Sequence, residues 1–159
     1  MSKNPGVLPL RLRRCAACLL LLLSGCSQVP LTNSVAIPPV PAGAARLWIY
    51  RNDGPNDNHD RPYLRLNGQV AGIAEPNGAF YRDLPPGPYT VSVDTYGAPF
   101  PNQFARVDLA AGQVAFVKVL SMLEKVGGPV ASRAFFFTQL VPADTAKGAI
   151  AVTPFYGAG

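Results

Sequence analysis

Three cysteines carry the most reactive side chains in this sequence, and their positions decide what chemistry is open to them. Cys15 and Cys18 form a Cys-Ala-Ala-Cys pair, a spacing used by redox-active thiols and by half of a four-cysteine zinc site. Both lie in an apolar run from position 15 to 23 that follows a basic stretch ending at Arg14. A basic start followed by a short apolar run is the order of an export signal, so we expect this pair to be removed with the leader.

The third cysteine closes the leader in the motif Leu23-Ser24-Gly25-Cys26. Nine apolar residues are far fewer than the ~20 that a membrane-spanning helix needs, so cleavage of the leader is expected. The motif resembles the lipobox of bacterial lipoproteins, which implies cleavage before Cys26 and acyl chains on that residue. Ser27 stands where an Asp favours inner-membrane retention, so the resemblance implies an outer-membrane anchor facing the periplasm. The alternative is an ordinary secretory leader that happens to contain cysteine.

His59 is the only histidine, in an Asn- and Asp-rich stretch at positions 52–60. Counted from Asp53, that stretch has Pro55 at the third ligand position of a calcium loop and Leu64 where the closing Glu should be, so the spacing fails. Gly-x-Ser-x-Gly, His-Glu-x-x-His and P-loop motifs do not occur in the sequence. We therefore predict no enzyme, no metal and no cofactor besides the lipid on Cys26. A hydrolase that uses His59 is the minor hypothesis.

Phe135, Phe136 and Phe137 are the candidate binding surface in the sequence. Side chains alternate along a strand, so Phe136 must face away from its two neighbours. If one of these faces is open to solvent, the aromatic side chains could bind a partner. If both faces are buried, all three belong to the core.

Most of the net charge of +5 belongs to the leader. Four basic residues and no acidic residue precede position 26, which leaves ten basic against nine acidic residues in the remainder. A nearly neutral domain without a basic cluster does not match a phosphate backbone, so nucleic acid is excluded as a partner.

Composition divides the chain into four parts. Residues 1–25 are the leader, and residues 26–45 follow the lipidated cysteine as a proline-rich tether that could reach roughly 60 Å at ~3.1 Å per residue. Residues 46–142 are predicted to form a small antiparallel all-β sandwich of seven to eight strands, immunoglobulin-like or transthyretin-like. Residues 143–159 form a tail that could begin with a short helix capped by Asp144 or Thr145.

Turn residues separate eight candidate strands. Asn67-Gly68 predicts a type I′ turn between residues 63–66 and 69–74, and Pro86-Gly87 predicts a type II turn in which Gly87 has a positive φ. A turn at Ala111-Gly112 suggests another hairpin between residues 103–109 and 114–123, whose second strand is apolar on both faces and therefore central. The candidate strands are residues 46–51, 63–66, 69–74, 79–84, 89–94, 103–109, 114–123 and 133–140.

A family resemblance rests on Leu66-Asn67-Gly68, on the run from Leu84 to Val93 that contains Pro-Pro-Gly-Pro-Tyr-Thr-Val, and on Ala111-Gly112-Gln113-Val114. These motifs resemble the PEGA-type β-sandwich and, more closely, a domain-of-unknown-function family of small bacterial lipoproteins, over residues 45–142. The resemblance implies a fold and an envelope location. It brings no catalytic residues.

Three functions stay open. The first is a non-enzymatic lipoprotein that docks an envelope protein through a sheet edge or an aromatic face. The second is a periplasmic module that binds glycan or peptide in a concave pocket. The third is the hydrolase that would use His59.

Overall fold

The computed structural model describes residues 28–54, 60–94, 104–125 and 132–158. Within these ranges nine strands form two sheets, which confirms the all-β sandwich with one strand more than expected. The elements are a 3-10 turn at Thr32–Ser34, β1 Ala45–Arg51, β2 Tyr63–Leu66, β3 Gln69–Ile73, β4 Gly78–Leu84, β5 Gly87–Val93, β6 Ala105–Leu109, β7 Val114–Lys125, β8 Ser132–Leu140, α1 Ala143–Ala151 and β9 Phe155–Ala158.

The larger sheet has five strands in the order β8-β7-β1-β4-β9, and the smaller has four in the order β3-β2-β5-β6. All pairs of the smaller sheet are antiparallel. In the larger sheet β1 pairs with β7 and β4 pairs with β9 in parallel. The sandwich is therefore mixed and departs from the wholly antiparallel arrangement that short turns predicted.

The central part of the larger sheet, around β1, is buried on both faces. Leu47 and Ile49 of β1 pack toward the smaller sheet, where they meet residues such as Leu64 and Val91. The alternate residues of β1, Trp48 and Tyr50, pack on the opposite face. That second face is covered by a layer that contains α1, so the molecule has three layers in this region.

The β2–β3 hairpin forms as predicted. Asn67 and Gly68 have φ values of 49° and 82°, as a type I′ turn requires. The predicted type II turn at Pro86-Gly87 is wrong, because Gly87 has a φ of 147° rather than about 80° and already lies in β5. Leu66 pairs with Gln69, but the register shifts after Leu64, so that Tyr63 lies opposite Ile73. The shift is a β-bulge, and it decides which side chains share the outer face of the hairpin.

The predicted hairpin of residues 103–109 and 114–123 is wrong. β6 pairs with β5 in the smaller sheet, whereas β7 pairs with β1 and β8 in the larger sheet. The turn at Gly112, with φ of 77°, carries the chain from one sheet to the other. The burial patterns fit this result, because β6 buries every second residue while β7 is buried on both faces along residues 115–117. β7 is an interior strand, as predicted.

The described residues that precede β1 and follow β8 pack on the larger sheet, whereas residues 26–45 were predicted to be an extended tether. Residues 30–32 run beside residues 153–155 with two backbone hydrogen bonds, and Ile37 packs on the outer cluster with α1. The apolar outer face of the sheet needs this cover. The helix predicted in the tail is present, but its N-cap is Pro142, with Asp144 in the first turn. The short strand β9 follows it.

Candidate functional site

The predicted lipidation motif and His59 lie outside the residues that the structure describes. This holds for Leu23, Ser24, Gly25 and Cys26, and for the central part of the Asn/Asp-rich stretch. Their chemistry therefore stays a prediction from the sequence. The structure does describe how the chain that follows Cys26 enters the domain.

The entering chain is fixed to the domain within a few residues. Leu31 pairs with Pro154 in an antiparallel bridge. On either side of the bridge, Phe155 donates its backbone N–H to the Pro30 carbonyl at 2.8 Å, and Thr32 donates to the Thr153 carbonyl at 2.9 Å. The Thr32 hydroxyl donates to that same carbonyl at 2.8 Å and is buried. The first fixed residue is thus Pro30, four positions after Cys26.

A buried arginine holds the second part of this segment. Arg46 of β1 donates from Nε and Nη2 to the two carboxylate oxygens of Asp83 at 2.7 and 2.8 Å, and from Nη1 to the Pro38 carbonyl at 2.6 Å. Its guanidinium carbon lies 3.9 Å from the centre of the Tyr81 ring. The hydrogen bond to Asp83 raises the pKa of Arg46, against the opposing effect of burial. Residues 30–38 are therefore part of the folded domain.

The structure buries two of the three phenylalanines of the candidate aromatic surface. Phe136 is 1% and Phe135 6% exposed, and Phe137 is half-buried. Phe136 belongs to the core between the sheets, where the guanidinium carbon of Arg51 lies 5.1 Å from its ring centre. Both faces of β8 are covered at these positions, so alternation places phenylalanine in two buried environments.

An exposed apolar surface is found instead on the β2–β3 hairpin. Tyr63, Val70 and Ile73 are 52%, 53% and 41% exposed. Tyr63 lies opposite Ile73, and Val70 lies opposite Arg65, so the four side chains share the outer face. Arg65 pairs with Asp94 at 2.7 Å beside them. The sequence alone does not predict this surface, because the bulge sets the pairing of Ile73, although it shows the apolar residues beside Asn67-Gly68.

Two surface depressions complete the candidate sites. One, of about 340 Å³, is mainly apolar and lies between the 3-10 turn, α1 and the larger sheet, with Trp48 and Phe116 in its wall and Lys147 at its side. The other, of about 670 Å³, lies on the outer face of β5 and β6. Its polar side chains include Asn67, Arg106 and Asp108.

Within the described ranges, no group of three or more His, Cys, Asp or Glu side chains is placed to hold a metal ion. None of the helical segments that the structure describes is long and apolar enough to cross a bilayer. Comparison of the chain with protein-family models, with curated proteins and with solved structures finds no match. The family resemblance of the sequence motifs thus stays a prediction, and the functional conclusion depends on the chain's own residues.

Proposed function

We propose that this protein is a bacterial lipoprotein, anchored in the outer membrane by acyl chains on Cys26, whose β-sandwich is a non-enzymatic docking module in the periplasm. One observation carries the proposal, namely Leu23-Ser24-Gly25-Cys26 placed directly after a basic and then apolar leader. Two or three acyl chains would hold the protein on the membrane essentially permanently, at ~0.8 kcal/mol for each buried methylene.

The anchoring step is tested by the intact mass of the protein purified from membranes, with Cys26→Ala as the variant. We expect a mature chain that begins at Cys26 and carries diacylglycerol and an N-acyl chain. The variant should stay unlipidated and keep the mass of the uncleaved chain, because the lipobox resemblance implies cleavage only before a lipidated cysteine. A mature mass without lipid in the unaltered protein would overturn the proposal.

The docking role is supported by the outer face of the β2–β3 hairpin. Tyr63, Val70 and Ile73 place aromatic and aliphatic surface next to the exposed Arg65–Asp94 ion pair. Aromatic side chains and arginine are enriched at protein interfaces, and β3 is an edge strand of its sheet, where a partner strand could pair. The partner expected from these features is an envelope protein.

Site-specific photocrosslinking in cells tests the docking surface. A benzoylphenylalanine at Tyr63 should give one defined crosslinked product, which should be lost in the Cys26→Ala variant because the protein then lacks its proposed outer-membrane anchor. The same residue at Met122, which is 58% exposed on β7, is the matched control and should give none. Identical crosslinking from both positions would contradict docking through the hairpin.

Binding of glycan or peptide is the second candidate, and the polar depression on β5 and β6 favours it. Arg106 and Asp108 would supply a donor and an acceptor to hydroxyl or amide groups. Binding of peptidoglycan fragments, measured by calorimetry, should then be lost in Arg106→Ala and Asp108→Ala variants. Equal heats for the variants and the unaltered protein would reject this site.

A further inference from the structure

Four exposed apolar side chains lie where the entering chain meets the C-terminal segment of the domain. They are Val29 and Leu31 on one segment, and Val152 and Tyr156 on the other, and each is between 39% and 63% exposed. We call these four residues the anchor-side patch. Residues 28–32 and 152–158 contain no charged side chain. An apolar environment in contact with these two segments would therefore not remove water from any charged side chain in them.

The pairing of the two segments explains why the patch faces outward. Leu31 lies opposite Pro154, and the same antiparallel register sets Val29 opposite Tyr156. Directly paired residues, and residues two apart, share a face. The intervening side chains point inward, since Phe155 packs against Trp48 and Tyr81 with ring centres 5.9 Å apart in each case. Val29, Leu31 and Tyr156 are therefore on the outward face of this ribbon, and Val152, the C-cap residue of α1, is exposed just before it.

The short distance along the chain to the lipid limits where the patch can be. Cys26 is four residues before Pro30, whose carbonyl is already bonded to the domain. Four residues span at most about 14 Å at ~3.6 Å each. A domain of about 130 residues has a radius of gyration of roughly 14 Å and hence a diameter about twice that or more. A domain anchored at Cys26 therefore cannot move far from the bilayer or rotate freely beside it. The part of its surface near Pro30 stays closest to the bilayer.

We propose that the anchor-side patch rests on the lipid bilayer surface, so that the domain is docked on the membrane in one orientation. This inference rests on the lipidation of Cys26 proposed above. Aliphatic side chains and an amphipathic tyrosine suit the boundary between head groups and acyl chains. The patch is small, and its binding would be weak by itself, but the acyl chains hold it at high local concentration beside the bilayer. The β2–β3 hairpin and the rest of the surface would then have a fixed direction relative to the membrane.

Spin labels on the lipidated protein test this orientation. The predicted mature chain contains no cysteine other than Cys26, whose thiol is acylated, so a label attaches only to an introduced cysteine. We would place it at Val152→Cys, which lies in the patch, and at Met122→Cys as control. Val152 and Met122 are similarly exposed, at 63% and 58%, but Met122 lies on β7, on the opposite side of β1 from β9. The protein is inserted by its lipid into vesicles of phosphatidylethanolamine and phosphatidylglycerol.

The readout is the accessibility of each label to oxygen relative to a water-soluble nickel chelate. We expect a several-fold higher ratio at Val152→Cys than at Met122→Cys, because oxygen concentrates in the bilayer. Adding Tyr156→Asp should reduce the ratio of oxygen to nickel-chelate accessibility at Val152→Cys toward the value at Met122→Cys. The protein should still float with the vesicles, because its lipid is unchanged. The matched change Leu140→Asp, at a 42% exposed position on β8, the opposite edge of the larger sheet from β9, should leave the ratio unchanged.

Two failures are distinguishable. If the intact mass shows lipid and the protein floats with the vesicles, but both labels are equally accessible to the nickel chelate, the patch does not rest on the bilayer and the anchoring proposal stands. If the intact mass shows no lipid, the anchoring proposal fails and this inference fails with it.

Discussion

Two arginine–carboxylate pairs in this protein have nearly the same geometry and differ in burial. Arg46 and Asp83 are joined at 2.7 and 2.8 Å, and Arg65 and Asp94 at 2.7 and 2.9 Å. The side chains of the first pair are 4% and 22% exposed, against 35% and 42% in the second. Removing one carboxylate from each pair therefore isolates the effect of burial on stability.

We expect Asp83→Ala to lower the free energy of unfolding by about 3 kcal/mol, the lower end of the range for breaking a buried pair. The cost arises because the Arg46 guanidinium stays buried without its carboxylate. The lower end applies because Asp83 is partly exposed, so water can enter beside the arginine. Asp94→Ala should change stability only slightly, since water already screens an exposed pair.

The assay is equilibrium unfolding in urea of the unlipidated chain, residues 27–159, followed by the fluorescence of Trp48. Trp48 is the only tryptophan and is 7% exposed, so its emission should shift to the red on unfolding. A further variant, Arg46→Met with Asp83→Ala, should recover part of the loss because it removes the buried charge. It should not recover all of it, since the hydrogen bond to Pro38 is also gone.

Equal losses for Asp83→Ala and Asp94→Ala would refute this reasoning. So would a double variant that is less stable than Asp83→Ala alone, because the isolated arginine would then not be the source of the cost.

Three further predictions concern the packing of the sandwich. The buried Thr138 hydroxyl accepts a hydrogen bond from one backbone N–H of the opposite sheet and donates one to a backbone carbonyl of that sheet. Thr138→Val should therefore lower the free energy of unfolding in urea by about 1–3 kcal/mol. Thr138→Ser keeps the hydroxyl and should lower it by less. A Cβ on Gly78 would meet a side-chain carbon at 2.7 Å and a backbone oxygen at 3.0 Å, so Gly78→Ala should destabilise the protein by about 1–3 kcal/mol. A Cβ on Gly148 of α1 would meet open space, so Gly148→Ala should stabilise the protein by about 0.5–1 kcal/mol. The opposite order of melting temperatures would contradict this prediction. The hydrogen bond from Arg65 lowers the pKa of Asp94 in the folded state. The contribution of Asp94 to stability is therefore present above the pKa of the unfolded state and is lost as the pH falls through the pKa of the folded state. Asp94→Asn should make the free energy of unfolding less dependent on pH in that acidic window, and an unchanged pH dependence would contradict this prediction.

Local turn residues predicted where the strands lie, but they did not predict which strands pair when these are in different sheets. Asn67-Gly68 fixes a two-residue turn whichever sheet contains it, because few other residues accept both φ angles. Gly112 has a similar signal, yet its turn leads from one sheet to the other. A turn residue specifies the local backbone but not the partner of the strand that follows, so the β6–β7 hairpin was predicted wrongly.

The candidate sites were harder to predict, since burial depends on the layers that cover each sheet. Three consecutive phenylalanines fit an exposed surface or a doubly buried strand equally well. The structure decides for burial at Phe135 and Phe136. The exposed Tyr63 and Ile73 could not be placed on one face until the bulge in β3 was known.

The proline-rich composition of residues 26–45 suggested a spacer, because proline removes backbone donors and favours an extended chain. Proline carbonyls still accept hydrogen bonds, however, and the domain uses those of Pro30 and Pro38 to fix the segment. The same composition that keeps this segment extended therefore lets it lie along β9 and over Arg46. For a chain anchored at Cys26 the consequence is large, since the free length falls from the roughly 60 Å of a full extended tether to about 14 Å. A partner would then have to be reached within one domain diameter of the membrane, which favours a partner that is itself membrane-bound.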